Sequence, residues 1–387
     1  MIEADEPSLD QKVEFLSRPA AYPEAVASVT RRETHMSWVF LAGGKVYKLK
    51  KPVRLSYLDF STLAKRKAAC LAELSLNRRL APDVYLDVAP LTATPRGTLI
   101  GGHGITVDWL VVMRRLDESQ TLEHAILEDR VEPWQLDRLV TTLVQFYRRA
   151  TPIFLPPAIH LRNWCQSRLY NRRVLLDAHL GLPSGLVTRI DSVQRRFLFF
   201  QSRLLAQRVR DRIIVDGHGD LRPEHIWLGD PVKIIDCLEF NPRLRAVDPF
   251  DEIAFLSLEC ERLGAAWVGQ YIRHRIARTL RDGPNEALFL FYRCHRATLR
   301  ARLAIAHLLE PSPRTPEKWP CLARTYLRLA AADAARIERF LKKRGDQRAI
   351  ALDANGGSPR REAVRPAGCR SYRAEAPVRA GKPVPRR

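Results

Sequence analysis

Trp38 to Leu41 is an apolar run, and Val46-Tyr47-Lys48-Leu49-Lys50 alternates apolar and polar residues after Gly43-Gly44. This pattern predicts a β-hairpin with a glycine turn. Alternate side chains of a strand share a face, so Lys48 and Lys50 project together. Pro52 ends the second strand. Asp59-Phe60-Ser61-Thr62 then starts a helix that runs to about Leu80 and contains one acidic residue, Glu73. Val84–Pro90, Thr98–Ile105 and Val107–Met113 read as strands. Residues 33–113 therefore describe a small, mostly antiparallel sheet crossed by one helix. Residues 1–30 read as a lead-in, with a short helix around Val13–Leu16 and then a proline-containing loop.

Beyond about Asp117 the period changes. Leu136, Leu139, Val140, Leu143, Phe146 and Tyr147 recur at helical spacing. His160–Leu180 reads as a helix broken by Gly181-Leu-Pro-Ser184. A long helix follows, with Leu186, Ile190, Val193, Phe197 and Leu204 on one face and its end near Arg212. Further helices are expected at Ile253–Leu263, Ala266–Leu280, Glu286–Leu309 and Trp319–Lys343. The plan is α+β: a lead-in (1–30), a β-rich lobe (31–113), a helical lobe (114–343) and a basic tail (344–387). The tail, rich in Gly, Pro, Ala, Ser and Arg, reads as disordered.

A chain of 387 residues, 46% hydrophobic, suits two lobes or domains with a substantial core. No apolar run approaches the roughly 18 residues of a membrane span. The segment MIEADEPSLDQKVEF is acidic and polar, unlike a signal peptide. The seven cysteines are scattered without CxxC pairing. Neither a disulfide scaffold nor a zinc site is indicated, and a reducing cytoplasm is the simplest location. The formal charge is +21, of which residues 344–387 carry eleven basic against four acidic side chains. The remainder is spread over Arg-rich helices, a composition that a GC-rich genome also produces. Nucleic-acid binding through the tail is the minor reading of this charge. No P-loop, nucleophile elbow, zinc-protease helix or dinucleotide-binding glycine set occurs.

Candidate chemistry concentrates in Asp216–Glu252. His218-Gly219-Asp220 is followed by His225, and the apolar Val232, Ile234 and Ile235 deliver Asp236. One carboxylate to orient a hydroxyl, a possible ligand farther along the loop, and a second carboxylate to hold Mg²⁺ make a phosphoryl-transfer layout. The plainer readings are a turn aspartate for Asp220 and a structural ion pair for Asp236, which is costly to bury unpartnered.

With its β-rich lobe and the sequence HGDLRPEHI followed by IIDCLEF, the chain resembles the aminoglycoside phosphotransferase family of the protein-kinase-like fold over about residues 13–340. The resemblance implies a two-lobed small-molecule kinase using ATP or GTP and Mg²⁺, with a hydroxyl-bearing acceptor as its other partner. It implies that Asp220 accepts or orients the acceptor hydroxyl and that His218 supports the catalytic loop. Asp236 would ligate Mg²⁺. His225 stands where the family pattern has Asn, so it ligates weakly, contacts a phosphate, or leaves one metal to suffice. Arg222 is either a charge stabiliser near the γ-phosphate or a partner of Glu224. Lys48, with Lys50 as the alternative, would contact the α- and β-phosphates and be held by Glu73. Ser37, in Thr34-His35-Met36-Ser37, would donate to a phosphate. Val111, Val112 and Met113 would offer backbone groups to adenine. Asp251, beside Asp248, would cap a helix and brace the loop. Glu259 and Glu261 are candidates for an acidic patch toward a cationic acceptor. The alternative is a kinase-fold protein that binds nucleotide with weak or no catalysis.

Overall fold

The hairpin forms as its pattern predicts. In the computed structural model, which describes residues 7–55, 58–95, 97–310, 313 and 315–354, β2 (Ser37–Ala42) pairs with β3 (Lys45–Lys50) around Gly43, whose φ of 57° suits a glycine turn. An additional strand, β1 (Val29–Glu33), lies at the sheet edge against β2. Its residues are half-buried at Val29 and exposed beyond it. It therefore lacks the two-residue alternation that would reveal it in the sequence. Two short strands, β4 (Arg54–Leu55) and β5 (Leu58–Asp59), lead to α2 (Leu63–Asn77), after a first helix α1 (Leu9–Leu16). Thr62 caps α2 by accepting from the Lys65 N–H at 3.3 Å.

Three further strands, β6 (Tyr85–Thr94), β7 (Gly97–Ile100) and β8 (Ile105–Arg114), complete an antiparallel sheet in the order β1-β2-β3-β8-β6-β7. Alternation splits each strand between two environments. Phe40, Tyr47, Leu49, Leu110 and Val112 join Val13 and Leu16 of α1 in one core. The lead-in helix is thus part of the sheet lobe's hydrophobic packing. Cys70 of α2 packs with Tyr85 and Val111 beneath the opposite face.

The helical part comprises α3 (Leu122–Leu127), α4 (Pro133–Arg149), α5 (Pro157–Leu175), α6 (Ser184–Phe200), α7 (Ser202–Arg210), α8 (Pro249–Arg262), α9 (Ala266–Leu280), α10 (Glu286–Ala306) and α11 (Lys318–Ala354). The long helix expected to end near Arg212 is two helices that part at Gln201. The last helix passes the expected boundary at Lys343 and reaches Ala354; the rest of the expected tail, 355–387, lies outside the described residues. Among the described residues no helix is long and apolar enough to cross a membrane.

Every residue of α8 from Pro249 to Cys260 is buried. Asp251 and Glu259 are matched by arginines of α10 and, for Glu259, by Arg262 of α8 itself. Asp251 takes Arg296 at 2.6 and 2.9 Å, and Glu259 takes Arg262 at 2.6 Å, Arg300 at 3.1 Å and Tyr326. The expected acidic patch is therefore absent: Glu259 is fully buried and Glu261 pairs with Arg293. Much of the arginine content of these helices serves internal ion pairs, which a buried carboxylate requires.

Candidate active site

Between α7 and α8 the chain forms two short pairs that present the polar residues. The strand β9 (Val215–Asp216) pairs with β12 (Ala246–Val247), and β10 (Ile226–Trp227) pairs with β11 (Lys233–Ile234). His218 to His225 lies between β9 and β10; Asp236 follows β11. The left-handed Gly219 (φ 88°) turns the loop, and a Cβ there would meet the Leu238 side chain at 3.0 Å.

The loop is held from beneath by Glu252, a residue the sequence reading passed over. Its Oε1 accepts from the His218 N–H at 2.8 Å and from the Gly219 N–H, while Oε2 accepts from the Tyr147 hydroxyl at 3.0 Å. The cap of α8 is Asp248, which accepts from the Phe250 N–H at 2.9 Å. Asp251 does not cap, contrary to expectation. It sits in the first turn and holds Arg296 instead. From above, the end of α2 secures the same region. Asn77 accepts from the Cys237 N–H at 2.8 Å, and Arg79 donates to the Asp216 and Gly217 carbonyls at 2.8 Å each.

His218 is buried, and its ring bridges two backbone groups. Nε2 lies 2.9 Å from the Ile235 carbonyl and Nδ1 accepts from the Asp220 N–H at 3.3 Å. With both nitrogens engaged it braces the loop against the strand that carries Asp236. Burial and the neighbouring His225 hold its pKa down to about 4. Burial also lowers His160 to about 4 and His295 to about 3. Unfolded histidines titrate near 6.5, so the unfolded chain binds more protons between that pH and 4. The histidine contribution to stability is complete above 6.5 and is lost as pH falls through 4. Urea midpoints should decline over that window; a flat profile would contradict this burial.

His225 donates from Nδ1 to the Asp220 carbonyl at 2.9 Å, because a carbonyl can only accept. Its Nε2 receives Arg222 at 3.1 Å and lies 3.6 Å from Asp236 Oδ2. Arg222 also donates to Asp220 Oδ2 at 2.9 Å and to Glu224. It thus pairs with Glu224, one of its two expected roles, and also with Asp220. Burial opposes the charge of Asp220, but Arg222 and His225 outweigh it and keep the carboxyl ionised below the usual range. Its Oδ1 has no hydrogen-bond partner among the described residues.

The two lysines separate cleanly. Lys48 donates to Glu73 Oε1 at 2.8 Å and to Asp236 Oδ1 at 3.0 Å and lines a cavity between sheet and helical lobe. Burial disfavours its charge, but Asp236 and Glu73 more than compensate and raise its pKa. Lys50 is fully buried between Glu73 at 2.6 Å and Glu239. Glu239, in the quoted IIDCLEF, is a second residue that sequence reasoning missed; burial raises its pKa against the pull of Lys50. Its only sequence signal was a carboxylate three residues after Asp236.

Asp236 has a left-handed backbone, φ 64°, and a side chain 47% exposed. The adjacent Lys48 charge lowers its pKa most. A non-glycine residue in this conformation stores strain that the fold must support. The Tyr85 hydroxyl supports it by accepting from the Asp236 N–H at 3.1 Å.

The cavity measures about 730 Å³. The sheet contributes Val39, Leu41 and Val46 to its lining, and the crossing between lobes contributes Met113 to Leu116. Val112 sits inside β8 and is paired on both sides, with Tyr47 and Asp87. Met113 is likewise paired, with Val46 and Tyr85; of the expected Val111–Met113 segment only Met113 lines the cavity, and Arg114 to Leu116 continue that lining. Ser37 lines the cavity, is buried and donates its N–H to Thr34 Oγ1 at 2.9 Å. The donor set fits a magnesium ion in part: Asp236 supplies an exposed carboxylate, and His225 supplies a nitrogen that Mg²⁺ takes poorly.

No family model matches the chain. It is 31% identical over 342 residues to uncharacterised proteins of Mycobacterium bovis and Mycobacterium tuberculosis, covering 85% of this chain. The chain spans 62% of the length of those relatives. Among solved structures, a choline/ethanolamine kinase family protein from Mesorhizobium loti aligns with TM-score 0.47 and 16% identity over 84% of this chain and 98% of its own. A thermostable mutant of the aminoglycoside phosphotransferase APH(4)-Ia aligns with TM-score 0.48 and 11% identity over 81% of this chain and 95% of its own. Fold-level likeness of this kind leaves activity to be argued from the site. The antiparallel sheet with its single crossing helix, the sheet lysine paired to a carboxylate of that helix, and the helical lobe that carries the facing loop give this chain the two-lobed architecture of the protein-kinase-like fold.

Proposed function

We propose that the chain belongs with the aminoglycoside-phosphotransferase-like kinases and transfers the γ-phosphate of ATP or GTP to a hydroxyl of a small molecule. The observation that carries this reading is the convergence of Lys48, anchored by the buried Glu73, and Asp236 at one cavity, with Asp220 tied to them through His225 and Arg222. Such a reaction needs positioning and charge neutralisation rather than covalent help from the protein. Lys48, fixed by Glu73, neutralises the α- and β-phosphates. Asp220 orients the acceptor hydroxyl through its unpartnered Oδ1. The backbone from Met113 to Leu116 meets the base. Asp236, with His225 beside it, would hold Mg²⁺, which when bound would offset the charge of the phosphates. His225 Nε2 also stands where it can receive a hydrogen bond from Arg222 while Arg222 turns toward phosphate.

The test is nucleotide consumption against a library of hydroxyl-bearing metabolites, with Asp220→Ala as the control. Acceptor-dependent turnover that Asp220→Ala abolishes is expected. Equal turnover in both proteins would refute the mechanism. A second reading draws on Arg222, which already occupies one oxygen of Asp220, and on the histidine at 225. It describes a nucleotide-binding protein without transfer activity, and predicts nucleotide-induced thermal stabilisation with no turnover on any acceptor.

A further inference from the structure

A histidine cluster forms without Asp220 or Asp236, although His35 lines the same cavity as Asp236. His35 belongs to the turn before β2, where Thr34 Oγ1 both donates to the Ser37 carbonyl and accepts from the Ser37 N–H at 2.9 Å. His307 follows α10 in the helical lobe, and Glu310 lies three residues on. Both imidazoles aim Nδ1 at one oxygen, Glu310 Oε1: His307 from 2.7 Å and His35 from 3.3 Å. The three ligand atoms lie within 4.8 Å of one another. The His307 ring is held by stacking on Trp319, with centroids 4.1 Å apart, and meets the His35 ring edge-on at 6.0 Å.

We propose that His35, His307 and Glu310 form a binding site for a divalent transition-metal ion of the zinc type, which clasps the turn over the cavity to the end of α10. Two imidazole nitrogens and one carboxylate oxygen are the ligand set of three-ligand zinc sites, which leave a fourth position to water. Tetrahedral ligands at zinc distances stand about 3.3 Å apart, and the two histidine-to-Glu310 spacings are 2.7 and 3.3 Å. Imidazole favours zinc, copper or nickel over magnesium, so the clasp selects a different ion from the one proposed at Asp236. The alternative use of this geometry is two Nδ1–H groups donating to one carboxylate oxygen. The clasp stands on these three side chains and not on the proposed phosphotransfer.

Metal-stripped full-length protein titrated with Co²⁺ tests it. The expected result is visible d–d absorption from one tetrahedral ion per chain, displaced by Zn²⁺. His35→Gln and His307→Gln should each weaken binding by more than about tenfold, since even outer partners of metal ligands cost that much. Asp236→Asn, at the cavity, should leave the band in place. Because the His35 side chain is 41% exposed, its substitution reads binding even where His307→Gln misfolds. With Zn²⁺ bound, amide exchange of residues 34–37 should slow. Absence of the band, its persistence in His35→Gln, its loss in Asp236→Asn, or unchanged exchange would each overturn the clasp.

Discussion

Replacing Asp236 by asparagine is expected to lower phosphotransfer by at least about 10³-fold while leaving the protein folded. Asparagine keeps the shape of the side chain and, like aspartate, tolerates the left-handed backbone at this position. Lys48 retains Glu73 at 2.8 Å, so no buried cation is left alone. The substitution removes only the negative charge that faces the cavity, which the proposed chemistry assigns to the metal-bound phosphates. Asp220→Asn makes the complementary case. Its charge sits between Arg222 and the acceptor side, so kcat should fall while nucleotide still stabilises the protein against heat. Rates for both, measured with the acceptor that the library identifies, check the assignment. A loss below tenfold for Asp236→Asn would remove that residue from the mechanism.

What the sequence disclosed and what it hid have physical explanations. Alternation in Val46–Lys50 placed Lys48 and Lys50 on one face, and the structure confirms that both reach Glu73. The choice between them was not local. It depends on Glu239, some 190 residues away, which closes over Lys50 and leaves Lys48 at the cavity. Glu259 looked like a surface group in part because its partner Arg300, like Arg296 for Asp251, lies on α10, about 40 residues later. Glu252 was invisible as a loop support for the same reason: its partners are backbone N–H groups. The edge strand β1 was missed because an exposed edge needs no apolar alternation. Val111 and Val112 satisfy a buried-strand pattern and are buried strand, so the pattern alone could not say which residues of this stretch line the cavity; Met113 does. Periodic elements were legible; features made by long-range charge pairing were not.

That pairing predicts the largest stability effect. Glu73→Gln should destabilise the protein by about 3–5 kcal/mol, because it leaves two lysines short of a buried counter-charge. Lys50 is fully buried, with Glu73 and Glu239 as its carboxylates and the Phe60 ring 5.0 Å away. A loss of this size is a large share of the roughly 5–15 kcal/mol that holds a domain together. Urea denaturation with an unchanged m value would measure it. Lys50→Met alone should also be costly, since Glu239 would be stranded. Lys50→Met combined with Glu239→Gln removes both charges and should recover much of that loss, because a buried ion pair can be exchanged for neutral groups more cheaply than it can be broken. Lys48 keeps Glu73 and Asp236 in the double variant, so phosphotransfer should survive there and fail in Glu73→Gln. If the double variant lost turnover while remaining stable, Lys50 rather than Lys48 would be the lysine that serves the nucleotide.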